Sequence, residues 1–385
     1  MQPEVIGALD IWLGVIGRFW PVWLSLAVVF ALSITFKRRL GLYGHLFDSG
    51  VGMIGLAIVL FWIFTAIFAD IIATFGPIDQ FALLKRDIPG TVEPESGVPF
   101  YFGADNLGRD LFSRMVFGSQ FVLTIAPAAT FIAFLVGICL GLPAGYYSGK
   151  IDTVLSFLAN LILSFPVILL FYLLVTPGIR ETPIPTGMAG VFFIFPIILL
   201  LIMFQTKYFA RMHLFAIQAT LIVLIGGWLY LGLVFDADPF GIVRLDPNEL
   251  NIFAAVVFAS SPGVFRIVRG LTLDIQTRDY VAAAQTRGEN PWYIMIWEIL
   301  PNARGPLIVD ACLRIGYTTI LLGTLGFFGL GLAPESPDWG SMINQTRSFI
   351  RIVPTIVLPQ TLALASLVLG LNLLADGLRE QSLKD

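Results

Sequence analysis

Few residues in this 385-residue chain have the type and spacing that chemistry needs. Gly145, Gly149 and Lys150 supply a glycine and a Gly-Lys pair, but the spacing is too short for a phosphate-cradling loop and no Ser or Thr follows the lysine. His45 and His213 lie far apart in the chain, which argues against a metal or haem site. Cys139 and Cys312 each sit inside an apolar run, where a reduced thiol behaves as a small hydrophobe, so no disulfide is expected. Asp310 and Arg314 are an ionisable pair within an apolar stretch, four apart on one helical face near its end. They suit an ion pair or snorkelling side chains, and a proton-coupled role is the competing reading. Catalysis by this chain is not expected.

The segment between about Leu271 and Pro306 is better suited to docking than to catalysis. Asp279 to Arg287 has the propensity for an exposed helix that Gly288 should end in the left-handed conformation. Asn290 and Pro291 then read as the N-cap and first position of a second helix. Ala282, Ala283 and Ala284 make a small-residue patch before the turn, and Trp292, Tyr293, Ile294 and Ile296 make the second helix strongly apolar. An exposed surface of that kind calls for a partner, whereas a connector packed on its own bundle is the plainer reading.

The elements that position this segment follow from composition. Hydrophobic residues make up 57% and charged residues 13% of the chain, with mean hydropathy +0.85, so a bilayer is the expected solvent. The net charge of −3, with no basic stripe, excludes a nucleic-acid partner. Apolar runs of membrane-spanning length lie near 14–36, 51–74, 119–145, 153–175, 187–206, 214–235, 251–268, 306–331 and 354–375, about nine in all. The first ends in Lys37, Arg38 and Arg39 without a small-residue cleavage site, as an anchor would. Lys and Arg place that connection inside, together with the turns at Lys150 and at Lys207 and Arg211 and the segment holding Arg266, Arg269, Arg278, Arg287 and Arg304. The N-terminus is then outside and the C-terminus inside, with outer loops at 75–118, 176–186, 236–250 (acidic through Asp236, Asp238 and Asp246) and 332–353.

The first outer loop, with Pro89, Pro94 and Pro99, should be largely irregular and solvated. From Asn106 onward, Leu107, Leu111, Phe112 and Met115 fall on one helical face, opposite Arg109, Asp110 and Arg114. That pattern predicts a helix lying in the interface, or else a plain solvated connector helix. Gly137, Gly141 and Gly145 recur every four residues, the spacing that lets membrane helices approach closely. The glycines at 323, 326, 329 and 331 suggest the same for their helix.

The run DYVAAAQTRGENPWYIMIWEILPN, Asp279 to Asn302, resembles the EAA loop of ABC-importer permeases, matched at Ala283, Ala284, Gly288, Leu300 and Pro301. Ala282 stands where the loop often has glutamate, and Glu298 where isoleucine is common. Four further stretches are similar to blocks of the C-type membrane subunit of the dipeptide, oligopeptide and nickel importer family, in the right order: GADNLGRDLFSRMVFG (103–118), GYYSGKID (145–152), LGFFGLGLAPESPDWGSM (325–342) and NLLADGLRE (372–380). The resemblance implies an all-α type I importer transmembrane domain in a bacterial inner membrane. It implies a second permease subunit, two ATPase subunits that carry ATP and Mg, a periplasmic solute-binding protein and no cofactor in this chain. Ala282, Ala283, Ala284, Gly288, Leu300 and Pro301 would couple it to an ATPase. Residues 1–50 would be an added span and linker, 51–118 the first family span and outer loop, and 119–385 the core, with the coupling loop at 271–305 and an inserted helix pair at about 187–235. The additions would be lipid-facing packing or a site for an accessory protein. The transported solute is expected to be peptide-like. An ion-coupled transporter and a non-transporting assembly subunit are the rival classes.

Overall fold

The computed structural model describes residues 4–85, 87–180, 182–241, 247–330, 335–351 and 353–382; Asp246 and Gly331 lie outside the described residues. Its main helices are α1 (Ala8–Arg18), α2 (Trp20–Phe36), α3 (Gly50–Ile67), α4 (Leu111–Tyr147), α5 (Gly149–Ser164), α6 (Val167–Val175), α7 (Pro183–Lys207), α8 (Met212–Phe235), α9 (Pro247–Ile275), α10 (Asp279–Thr286), α11 (Arg304–Phe327), α12 (Trp339–Thr346) and α13 (Leu358–Ser382). Among the described residues eight helices are long and apolar enough to cross a membrane, or nine if α5 and α6 count as one bent span. The apolar run at 153–175 is therefore not one straight helix: it turns by 83° between Ser164 and Val167. Pro166 explains the break, because the residue before a proline is driven out of the helical region, and Phe165 is extended at φ −79°, ψ 136°. The chain divides into two compact units, Met1–Pro127 with Cys312–Asp385, and Ala128–Ala311.

In the first unit α3 and α13 meet backbone to backbone. A Cβ on Gly55 would collide with the Leu374 amide nitrogen, one on Gly377 with the Gly52 Cα, and one on Gly370 would sit 2.7 Å from Ile58. Small residues on both helices permit this approach, and Trp62 Nε1 donates to Ser366 Oγ across it at 3.0 Å. Gly55→Val is expected to cost roughly 1–3 kcal/mol by overpacking. Thermal unfolding in detergent would measure it against Gly227→Val, a helical position where an added side chain meets open space.

The first outer loop is folded, contrary to the expectation of an irregular solvated segment. Strands β1 (Thr91–Val92) and β2 (Pro99–Phe100) pair antiparallel, and Val5 bridges to Thr91. Leu84, Phe100 and Ala104 form a small core under Phe75 and Phe81, whose rings meet Phe100 edge-on. The interfacial helix predicted from Asn106 is absent too. Residues 106–110 form a turn, and the helix begins at Leu111 and runs unbroken to Tyr147. The burial of its first residues also differs from both readings: Leu107 is exposed, whereas Arg109, Asp110 and Arg114 are buried along with Leu111, Phe112 and Met115. Hydrogen bonding makes this tolerable. Asp105 accepts from Arg109 Nε at 2.7 Å, Arg109 Nη2 donates to Gln345 at 3.0 Å, and Arg114 donates to the carbonyls of Pro77 (2.9 Å), Glu335 (3.2 Å) and Ser336 (2.8 Å). Asp110 accepts from the amides of Phe112 and Ser113 and from Thr74 Oγ1. Burial raises the Asp110 pKa, against the pull of those donors.

Trp339, fully buried, donates from Nε1 to the Met115 carbonyl at 2.8 Å and packs on Gly118, where a Cβ would lie 2.5 Å from the Pro337 carbonyl oxygen. Gly323 and Gly326 pack closely, as their spacing predicts, against Leu364 and Asp338 respectively. Gly329 has another role: at φ +70° in open space, it lies just beyond the end of α11.

In the second unit α4 lies along α9. A Cβ on Gly137 would be 2.5 Å from Val264, on Gly141 2.8 Å from Val268 and on Gly145 2.6 Å from Thr272, so each glycine admits one turn of the neighbour, as the sequence pattern requires. α7 packs on α9, and α8 packs on α7 while leaving Leu221, Val223, Leu224 and Ile225 exposed. Cys139 and Cys312 are free thiols.

Candidate functional site

The helical hairpin after α9 occupies the segment singled out in the sequence. α10 ends as glycine chemistry dictates: Gly288 adopts φ +77°, its amide donates to the Gln285 carbonyl at 2.9 Å, and the Glu289 amide donates to Ala284 at 3.3 Å. These are the paired bonds of a helix closed by a left-handed residue. Asn290 Oδ1 then accepts from the Trp292 amide at 2.9 Å, with Pro291 in the first turn. The second helix runs as Pro291–Tyr293, a π-helical Ile294–Ile299 and Leu300–Asn302. Pro301 accounts for the widened turns, because it offers no N–H to the Trp297 carbonyl and its ring would crowd that group.

The apolar face of the second helix is not exposed: it packs on its own bundle, the plainer of the two sequence readings. Ile294, Met295 and Ile299 are buried with Val281, Ala284, Val264, Val268 and Leu307 in the core of this unit, with Trp292 and Leu300 packed against it. Ile296 is buried with Cys139 and Leu199, and Trp297 Nε1 donates to Thr206 Oγ1 of α7 at 3.0 Å. The triple-alanine patch is likewise split: Ala284 is fully buried, and only Ala282 and Ala283 face outward. The exposed surface is thus α10 and its turn, carrying Tyr280, Ala282, Ala283, Gln285, Thr286, Arg287 and Gly288. Pro301 is exposed and Leu300 half-buried.

Three contacts that hold the hairpin in shape were not anticipated from the sequence. Arg287 Nη2 donates to Glu298 Oε1 across the turn at 3.2 Å, so the unusual glutamate clasps the two helices together. Gln285 Nε2 donates to the Tyr146 hydroxyl at 3.3 Å, tying α10 to the GYYSGKID turn. Asp152 of that turn takes a two-point ion pair from Arg269 of α9, through Nε and through Nη2 at 2.6 Å. Outside the spans, Asp274 accepts from Arg278 at 3.0 Å and raises its pKa, and burial raises that of Tyr280. His45 lies 3.7 Å from Asp48. Among the described residues no group of three or more His, Cys, Asp or Glu side chains is arranged to hold a metal.

Within each unit, stretches that resemble family blocks meet. In the first unit Gly118 of one lies under Trp339 of another, and Ser49 Oγ donates to Glu380 of the last at 3.2 Å. In the second the 145–152 turn meets the hairpin. Residues 215–382 match the family described as binding-protein-dependent transport system inner membrane component. The chain is 28% identical over 349 residues to the di/tripeptide transport system permease protein DppC of Pseudomonas aeruginosa, covering 90% of this chain and 93% of that one. It is 27% identical over 338 residues to the dipeptide transport system permease protein DppC of Alkalihalophilus pseudofirmus, at 88% and 87% coverage. It is 29% identical over 280 residues to the glutathione transport system permease protein GsiD of Pectobacterium atrosepticum, at 73% and 71% coverage.

The chain is similar over most of its length to permease components of binding-protein-dependent importers.

Its all-α architecture, with eight or nine helices long and apolar enough to cross a membrane among the described residues, is the one such an inner-membrane component needs. The hairpin at 279–302 lies inside the matched region, as does the helix pair α9 and α11 on either side of it.

Proposed function

We propose that this permease forms half of the translocation pathway for small peptides or related solutes, and that the α10 turn docks in a cleft of an ATPase subunit. The observation that carries the reading is the division of the hairpin into a buried apolar second helix and an exposed small-residue first helix ending in Gly288. A rigid base with a smooth, narrow tip transmits displacement: Ala282 and Ala283 permit close approach, and Ala284, Leu300, Pro301 and the Arg287–Glu298 pair hold the tip on the bundle. The assembly would comprise a second permease subunit, two ATPase subunits holding ATP and Mg, and a periplasmic solute-binding protein. Small peptides are favoured because relatives are named for dipeptides, di/tripeptides and glutathione. The sidedness favoured by the charge distribution is N-terminus periplasmic, C-terminus cytoplasmic. The Val5–Thr91 pairing supports it by putting the N-terminal strand beside the first outer loop. α8, with its broad exposed apolar face, is assigned to lipid-facing packing.

Co-purification from mild detergent through a C-terminal tag tests the assembly. Recovery of a second permease and ATPases, with hydrolysis stimulated by a solute-binding protein, is the expected result. A chain recovered alone and stable across several detergents overturns it and turns attention to ion coupling through Asp310 and Arg314.

A further inference from the structure

A polar cluster between α5 and α9 extends beyond the Asp152–Arg269 pair that borders the hairpin. Along α5, Asp152, Ser156 and Asn160 recur every four residues and so share a face, within a run otherwise as apolar as a span. Opposite them on α9 stand Arg269 and Arg266. Arg269 is neutralised by Asp152. Arg266 donates from Nη2 to Asn160 Oδ1 at 2.6 Å, and among the described residues no carboxylate pairs with it. Ser156, Asn160, Phe265, Arg266 and Arg269 line a cavity of about 360 Å³. Arg266 lies about 13 Å along the helix from the C-terminal end of α9, and its guanidinium meets Asn160 about 16 Å along α5 from Gly149, both at 1.5 Å per residue. Its guanidinium does not reach for the nearer helix end as a snorkelling arginine would. It is held by an amide two turns deeper along α5 than Asp152.

An exposed cation and amide at such depth do not belong against lipid. They belong on a water-filled face, where ionisable groups of spans mark solute pathways. We infer that Arg266, with Asn160 and Ser156, forms an oxyanion subsite on the translocation pathway that takes the carboxylate of the transported solute. The inference rests on the peptide-importer reading above. The guanidinium fork matches a carboxylate in two-point geometry, and the Asn160 contact leaves its other nitrogens to present to the solute. The Asp152–Arg269 pair beside it adds no net charge, so the subsite is cationic by one and excludes cationic groups.

The test uses the complete transporter in proteoliposomes, with labelled dialanine as solute, read as dialanine transported per ATP hydrolysed. Arg266→Gln is expected to lower that ratio about tenfold, the value of one charged hydrogen-bond contact, while binding-protein stimulation of the ATPase persists. Arg266→Lys, which keeps the charge, is expected to stay within about threefold of wild type. An unchanged ratio in Arg266→Gln overturns the subsite, and an accompanying change in co-purified phosphatidylglycerol would reassign it to a lipid headgroup. Equal losses in both variants overturn it in favour of packing. A wild-type complex that moves no dialanine overturns the peptide reading itself and the subsite with it. Should Arg266→Gln fail to assemble, Asn160→Cys decides. Reaction with an anionic, membrane-impermeant thiol reagent, slowed by dialanine, supports the pathway face, and absence of reaction overturns it.

Discussion

A Gly288→Val permease is expected to insert and accumulate close to wild type yet lose most of its solute-stimulated ATPase activity. The position has no steric objection to a larger residue, because an added Cβ meets nothing within 4 Å. The objection is conformational. At φ +77° a β-branched residue is strained by about 1–3 kcal/mol, and the cheapest relief is to open the turn. Opening it releases the Gly288 and Glu289 amide bonds and draws Arg287 away from Glu298. The exposed tip then leaves its angle while the buried second helix stays in its core. At 1.4 kcal/mol per factor of ten, strain of this size is a loss of roughly five- to 150-fold in the docked population. Gly288→Asn should retain most activity, since asparagine tolerates the left-handed region. Unaltered coupling in the valine variant would remove the turn from the mechanism.

Arg114→Met is expected to have the largest effect on stability. The side chain is fully buried and donates to three main-chain carbonyls, at Pro77, Glu335 and Ser336. Removing it takes a donor from three part-buried acceptors, at a cost of about 1–3 kcal/mol for each that water does not reach. The result should appear as a lowered unfolding temperature and poor recovery from detergent. Arg114→Lys would restore part of the loss, as one ammonium cannot span all three acceptors. A methionine variant as heat-stable as wild type would mean that water reaches those carbonyls.

Local features were legible from the sequence and remote pairings were not. The turn at Gly288, Asn290 and Pro291 is written in residues whose backbone preferences act within a few positions, and the four-residue spacing of Gly137, Gly141 and Gly145 carries its own geometry. Arg109 and Arg114 misled because a charged face normally means an exposed one. Of the acceptors that make their burial tolerable only Asp105 is local; the others lie at Pro77, Glu335, Ser336 and Gln345, and no periodicity near Arg114 points to them. The burial of Ile294 and Met295 was hidden for the same reason: the core that receives them includes Val264 and Leu307, from helices before and after the hairpin. The break at Pro166 does not show in the length and composition of the apolar run at 153–175. The spacing of Asp152, Ser156 and Asn160 was present in the sequence and becomes meaningful only once Arg266 and Arg269 stand opposite.

The bridge between Val5 and Thr91 also constrains the order of synthesis. The ribosome makes the Val5 strand roughly 90 residues before its partner, an interval of about 5–20 s at ordinary elongation rates. Through that interval the Val5 contact is unmade, while Trp12, Leu13 and Ile16 of α1, exposed even in the finished fold, offer an apolar face to the membrane surface. The bridge can close only once β1 has been made. A bulky fusion at the first residue would delay that closure while leaving the insertion of α2 untouched.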